Sequence, residues 1–212
     1  ALKIFNTKMV DELVVLDISR NRNKRELKFD FLSRFIGEAF MPIAYGGGLN
    51  NIDQIKRLFS IGYDRVVLNT SIYKSPKLIN ETANLFGSQA VLVSIDFKKS
   101  FFGNYNIYSK SGRKKENIKI NNYLKLLESS GAGELIVNSI NNDGSFSGYD
   151  IDLFRNISSQ TKIPIIACGG ARNSSDFSLV IEKGGVSAVA ASSCFVFKKQ
   201  SRDSILISYK TN

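Results

Sequence analysis

An eight-stranded barrel of alternating parallel strands and helices, a (β/α)8 fold of the α/β class, is predicted by three observations on this chain of 212 residues. Short apolar runs rich in Val, Ile and Leu, without the strict alternation of a solvent-faced sheet, read as parallel strands covered by helices. Amphipathic segments separate those runs, which is the repeated βα unit. The plan also occurs twice at a constant offset of 122 residues: Glu12 recurs as Glu134, Pro42 as Pro164, Gly47 and Gly48 as Gly169 and Gly170, Gly62 as Gly184, and Ser71 as Ser193. A gapless repeat suits two halves closing one barrel, and it argues against a doubly wound open sheet, whose two sides have no such relation. The expectation is one barrel domain with half-repeats at about 1–89 and 90–212.

Taken in order, residues 1–9 carry apolar side chains at helical spacing (Leu2, Phe5, Met9). Strands are expected at 13–18, 42–45, 65–69, 90–97, 134–139, 164–168 and 188–191. Helices are expected between them at 51–60, 76–86, 121–130, 151–159 and 174–182, several opened by Asn, Ser or Asp as N-caps. The polar, Gly-punctuated segment 98–117 breaks the symmetry and reads as a small hairpin on the face where the strands end. The equivalent of the strand ending at Asp96 would fall upstream of Ala1. An eighth strand is therefore expected outside these residues, and the start inside a helical pattern points the same way. A barrel short of one strand would expose two sheet edges and depend on a partner or aggregate.

With 43% hydrophobic and 11% aromatic residues the chain has the material for a buried core, which argues against disorder. No run of 18 apolar residues and no signal-peptide pattern is present, so a soluble, cytoplasmic protein is expected, with no membrane partner. Cys168 and Cys194 are too few for a disulfide framework and read as packing residues. The absence of histidine excludes a His-dependent hydrolytic triad or a His-containing metal site; no metal or cofactor is expected. The net charge of +10 is placed at 20–28, at Lys98 and Lys99, at 113–115 and at Arg172, each after a strand run. In a barrel these cations gather around the mouth and suit an anionic substrate. Nucleic-acid binding is disfavoured, because no binding motif or aromatic stacking platform accompanies the charge.

Two glycine turns, at 46–48 and 169–170, end equivalent strands and precede helices. Glycine lets backbone N–H groups approach a ligand, and helix N-termini add partial positive charge, so Gly47, Gly48, Gly169 and Gly170 are candidate phosphate seats. Asn69 and Thr70 supply donors to the first, Ala191, Ser192 and Ser193 to the second. Such a barrel grips a ligand phosphorylated at both ends. Asp17, Asp96 and Asp143 are carboxylates at strand ends on the same face, where acid or base roles reside. Asp96, ending the longest apolar run, is the candidate catalytic group. At the opposite strand ends Glu12, Asp64, Arg65 and Glu134 form either a structural ion cluster or a polar gate.

The segments DELVVLDIS, PIAYGGG, VVLNTS, LFGSQAVLVSID, GAGELIVNSINNDGSFSGYD, IPIIACGG and AVAASSCFVF, which span almost the whole chain, resemble HisF, the cyclase subunit of imidazole glycerol phosphate synthase. The resemblance implies a TIM barrel of the ribulose-phosphate-binding type that takes ammonia from a HisH-type glutaminase docked on its bottom face. It implies reaction of that ammonia with a bisphosphorylated formimino aminoimidazole carboxamide nucleotide, giving imidazole glycerol phosphate and an aminoimidazole carboxamide ribotide in histidine biosynthesis. Under it Asp96 matches one of two catalytic aspartates. Gly48, Asn69 and Thr70 match one phosphate site, and Gly169, Gly170, Ala191 and a serine of Ser192 and Ser193 the other. Asp17 and Asp143 match mouth carboxylates, Glu12, Arg65 and Glu134 a charged gate, and Asp64 the docking face. Three features depart from the family: the second catalytic aspartate lies on the strand absent here, Asn141 and Asn142 replace the usual Asp-Arg, and the short ending (FVFKKQSRDSILISYKTN) lacks the usual last helix. That ending resembles paralogues found with surface-polysaccharide genes, which implies ammonia delivery to a sugar amidotransferase instead.

Overall fold

A computed structural model describes residues 2–8, 10–18 and 26–196. The sequence readings on Met9, on the basic residues at 20–25 and on the segment beyond 196 lie outside them. Helix α1 (Leu2–Lys8) leads into β1 (Leu13–Leu16), α2 (Phe29–Ile36), β2 (Ile43–Gly46), α3 (Ile52–Ser60), β3 (Arg65–Leu68), α4 (Lys77–Phe86) and β4 (Val91–Lys99). The antiparallel pieces β5 (Tyr105–Ser109) and β6 (Lys114–Lys115) follow. Then come α5 (Ile120–Ser130), β7 (Glu134–Ser139), α6 (Ile151–Ser158), β8 (Ile165–Cys168), α7 (Ser174–Gly184), β9 (Ala188–Ala190) and the short turn α8 (Ser193–Val196).

Seven parallel strands pair in the order β1-β2-β3-β4-β7-β8-β9 among the described residues. Sequence order and spatial order coincide, with no point of reversal. That curled sheet with helices on its outside is the (β/α)8-type architecture and excludes the doubly wound sheet, which must reverse its strand order. Among the described residues β1 pairs only with β2 and β9 only with β8, so the sheet keeps two edges. The segment 98–117 forms the hairpin expected of it. β5 pairs with the end of β4 from Asp96↔Tyr108 to Lys99↔Tyr105, which prolongs β4 past the expected end at Phe97.

The period of two along each strand sorts its side chains into two cores. Leu13, Val15, Ile43, Tyr45, Val66, Leu68, Val91, Val93, Ile95, Leu135, Val137, Ile165 and Ala167 pack outward against the helices. The alternate residues Val14, Ala44, Val67, Leu92, Ile136, Ile166 and Ala188 form a separate layer inside. Both faces are apolar because both are covered, which is why the runs lack polar alternation. Helix starts follow the glycine turns at equivalent places: Asn51 caps α3 by accepting from Gln54, and Asn173 caps α7 by accepting from Ser175 and Asp176. Helix α2, absent from the sequence expectations, shows Phe29, Leu32, Phe35 and Ile36 at helical spacing, with Leu32 buried.

Candidate functional site

Because the seven strands are parallel, their C-terminal ends share one rim, and both glycine turns lie there. Gly47 adopts φ 133°, and a Cβ on it would sit 2.5 Å from the Asp17 carbonyl; Gly169 adopts φ 94°, and its Cβ would sit 2.7 Å from the Ser139 carbonyl. Asp17 and Ser139 are related by the same offset as the glycines, so the repeat extends to this contact. The sequence reading assigned these glycines to ligand approach. Their nearest need is local: each turn packs on the backbone leaving the preceding strand, where no side chain fits.

Between the turns, three neighbouring strands place polar groups inward. Asp96 continues the inward parity of Leu92 on β4, is 9% exposed, and accepts hydrogen bonds on both oxygens. Asn69, one residue past β3, donates its Nδ2 to Oδ2 at 2.9 Å. Asn138 on β7, directly across from Asp96 in the strand register, donates its Nδ2 to Oδ1 at 3.0 Å. The Oδ1 atoms of both asparagines are buried and accept no hydrogen bond among the described residues. Asn138 was absent from the sequence-derived site. Its inward parity with Ile136 was the available signal, but its pairing with Asp96 depends on register.

The other candidates divide. Thr70 stands beside Asn69, and its hydroxyl oxygen accepts from the Lys110 backbone N–H at 3.2 Å, tying the β5–β6 turn to this rim. Lys110 and Ser111 in that turn both have positive φ, 52° and 58°. Asp143 lies exposed in the loop after β7, its N–H bonded to the Ser139 carbonyl at 3.0 Å. Burial first, then the negative charge of Asp143 and Asp96, pushes the Cys168 thiol up to about 12, so both carboxylates act on the end of β8. Asp17 turns another way: its carboxylate meets the Tyr45 hydroxyl at 3.5 Å, and Tyr45 belongs to the outer core. Ala191 and Ser192 follow β9, and Ser193 opens α8. Gly170 is fixed by its carbonyl, which accepts from Gly148 at 2.8 Å. Arg172, counted among the mouth cations, lies just before α7 and is held by Asp176 of that helix through contacts of 2.7 and 3.0 Å, and that pairing lowers the Asp176 carboxyl below its usual range.

Asn141 and Asn142 shape this rim. Asn141 accepts from the Lys99 backbone at 2.8 Å, which anchors the hairpin, and Asn142 donates to the Gly148 carbonyl at 2.9 Å, which closes its own loop.

At the opposite rim Arg65 bridges two glutamates. It meets Glu12 at 3.0 Å, meets Glu134 through its other terminal nitrogen, and donates its Nε to the Gln89 carbonyl at 2.9 Å. Residues 12, 65 and 134 share inward parity with Val14, Val67 and Ile136, so the cluster closes the bottom of the inner layer. Asp64 points elsewhere: it is exposed, and its Oδ2 accepts from the Ile43 N–H at 2.9 Å, pinning the start of β2.

Fold and site define a (β/α)-barrel protein with a polar rim at the C-terminal strand ends and an ion cluster at the other end. Comparison with known proteins narrows this: the family model described as "Histidine biosynthesis protein" matches residues 1–201, and the chain belongs to that family. It is 41% identical over 209 residues to a putative imidazole glycerol phosphate synthase subunit hisF2 of Pseudomonas aeruginosa, covering 99% of this chain and 83% of that protein. It is 38% identical over 210 residues to a putative imidazole glycerol phosphate synthase subunit HisF of Leptospira borgpetersenii, covering 99% and 82%. Against the imidazole glycerol phosphate synthase subunit HisF of Alkaliphilus metalliredigens it is 33% identical over 199 residues, covering 94% and 79%. The resemblance to HisF read from the sequence is borne out.

Proposed function

We propose that this chain is a HisF-type cyclase subunit, in which ammonia from a glutaminase partner reacts at the mouth with a bisphosphorylated aminoimidazole carboxamide nucleotide. The carrying observation is a buried carboxylate, Asp96, held between two glycine turns on one rim. The turns would seat the two phosphates, with Asn69 and Thr70 beside one and Ala191, Ser192 and Ser193 beside the other. Asp96, acting as an acceptor on both oxygens, would take or return a proton at the reacting nitrogen during ring closure. Asp143 would add charge at the same rim. The Glu12–Arg65–Glu134 cluster at the bottom is where ammonia would enter, next to a partner face that includes Asp64.

The test is turnover with an ammonium salt and the nucleotide substrate, measured on the protein as its gene encodes it. Asp96→Asn should lower the rate by about 10²–10⁴. An undiminished rate in that variant, or no turnover at any ammonium concentration, would sink the reading. A second reading has its own support. Some relatives carry the names hisF2 and hisF3, and Asn141 and Asn142 are committed to loop and hairpin contacts where the family resemblance leads one to expect Asp-Arg. In that reading the barrel conducts ammonia to a sugar amidotransferase without cyclising anything. Failure to cyclise combined with ammonia transfer to a sugar would favour it.

A further inference from the structure

Two of the four buried side-chain atoms without a hydrogen bond among the described residues are Asn69 Oδ1 and Asn138 Oδ1, on either side of Asp96. The asparagine orientations follow from the carboxylate: an Oδ1 turned toward Asp96 would oppose another acceptor, so Nδ2 must face it and Oδ1 must face away. Each acceptor then needs a donor, since a buried carbonyl left unsatisfied is costly. The layer beneath is Val67, Leu92, Ile136 and Ile166, which offers none. The donor must come from the mouth. Asn138 Oδ1 also lies 3.1 Å from where a Cβ on Gly169 would stand, so any side chain at 169 would cover that acceptor and glycine leaves it open beside the turn.

We propose that Asn69 and Asn138 work as a pair of positioning and specificity residues. Each fixes Asp96 through Nδ2 and presents Oδ1 to an N–H group of the ligand. The inference rests on the reading of the mouth as a site for a bisphosphorylated nucleotide, and it adds which atoms recognise the nitrogen-bearing centre. Phosphates are gripped at the glycine turns; the N–H groups between them are read by the two carboxamide oxygens. A bisphosphate without N–H donors at its centre leaves both acceptors unfilled and binds less well.

Calorimetric titration separates these contributions, with inorganic phosphate as one probe and the bisphosphorylated carboxamide nucleotide as the other. Asn138→Leu and Asn69→Leu keep size and remove both the acceptor and the Nδ2 donor to Asp96. Each should weaken nucleotide binding by about tenfold, and in Asn138→Leu, which the reading keeps apart from the phosphate seats, phosphate affinity should stay within about twofold. Asn138→Thr and Asn69→Ser restore a hydroxyl, recover part of the loss, and supply the comparison if a leucine variant does not fold. Unchanged nucleotide affinity in the variants would mean that water fills the acceptors, and overturns the inference while leaving the functional reading intact. Parallel weakening of both probes in Asn138→Leu would make the role purely structural and overturns it too. Wild-type protein that takes phosphate but not the nucleotide removes the functional reading and this inference together.

Discussion

Replacing Arg65 by methionine tests the bottom cluster most directly. The arginine carries two charge-assisted contacts, to Glu12 and Glu134, and a third bond to the Gln89 carbonyl, with its side chain only 18% exposed. Methionine keeps much of the length and leaves two half-buried glutamates, 27% and 26% exposed, facing each other without a cation. Removing one partner of a fully buried ion pair costs about 3–5 kcal/mol; the remaining solvent exposure of these three side chains lowers the expectation to about 2–4 kcal/mol. Urea denaturation followed by circular dichroism reads the loss as a shift in midpoint at constant slope. A double-mutant cycle sharpens it: Glu134→Gln destabilises the wild type but relieves repulsion in the Arg65→Met background, with a coupling of about 1–2 kcal/mol. Additivity within about 0.5 kcal/mol, or a loss below about 1 kcal/mol, would refute the bridge.

Three other expectations concern two glycines, a carboxylate and a thiol. Gly170→Ala puts a Cβ 2.2 Å from the Gly148 carbonyl at φ 106°, and should cost about 3 kcal/mol or more in urea melts. Gly103→Ala, at φ 84° with nothing within 4 Å, should cost only about 1 kcal/mol. Asp176→Asn removes a carboxyl held low by Arg172, so the stability gap to wild type should be full at neutral pH; it should close as the pH falls through the lowered Asp176 value below the usual carboxylate range. A gap that widens in acid would contradict the pairing. With its thiol pushed up to about 12, Cys168 should react with a disulfide reagent at pH 8 about a thousandfold more slowly in the native protein than in denaturant. Equal rates would place it at the surface.

Several features were readable from composition and order. Helix α2 and the Arg172–Asp176 pair stand in the sequence as helical and i,i+4 spacing, but a short amphipathic segment and one charge pair carry weak signals alone. Others were not readable. Asp17 and Asp96 both look like carboxylates ending an apolar strand, yet one turns toward Tyr45 under the helices and the other faces the interior. A shift of one residue in parity reverses a side chain's face, and nothing local to DIS or DFK records which face survives at a strand end.

The sequence by itself determined the barrel class, the doubled plan and the two glycine turns, because periodicity and φ-permissive residues act within a few positions of the chain. Only tertiary structure decided that Asn138 stands opposite Asp96 and that Arg65 joins Glu12 to Glu134. Those facts depend on strand register and side-chain reach across 42, 53 and 69 positions of chain, and hydrogen bonds at that separation leave no local trace.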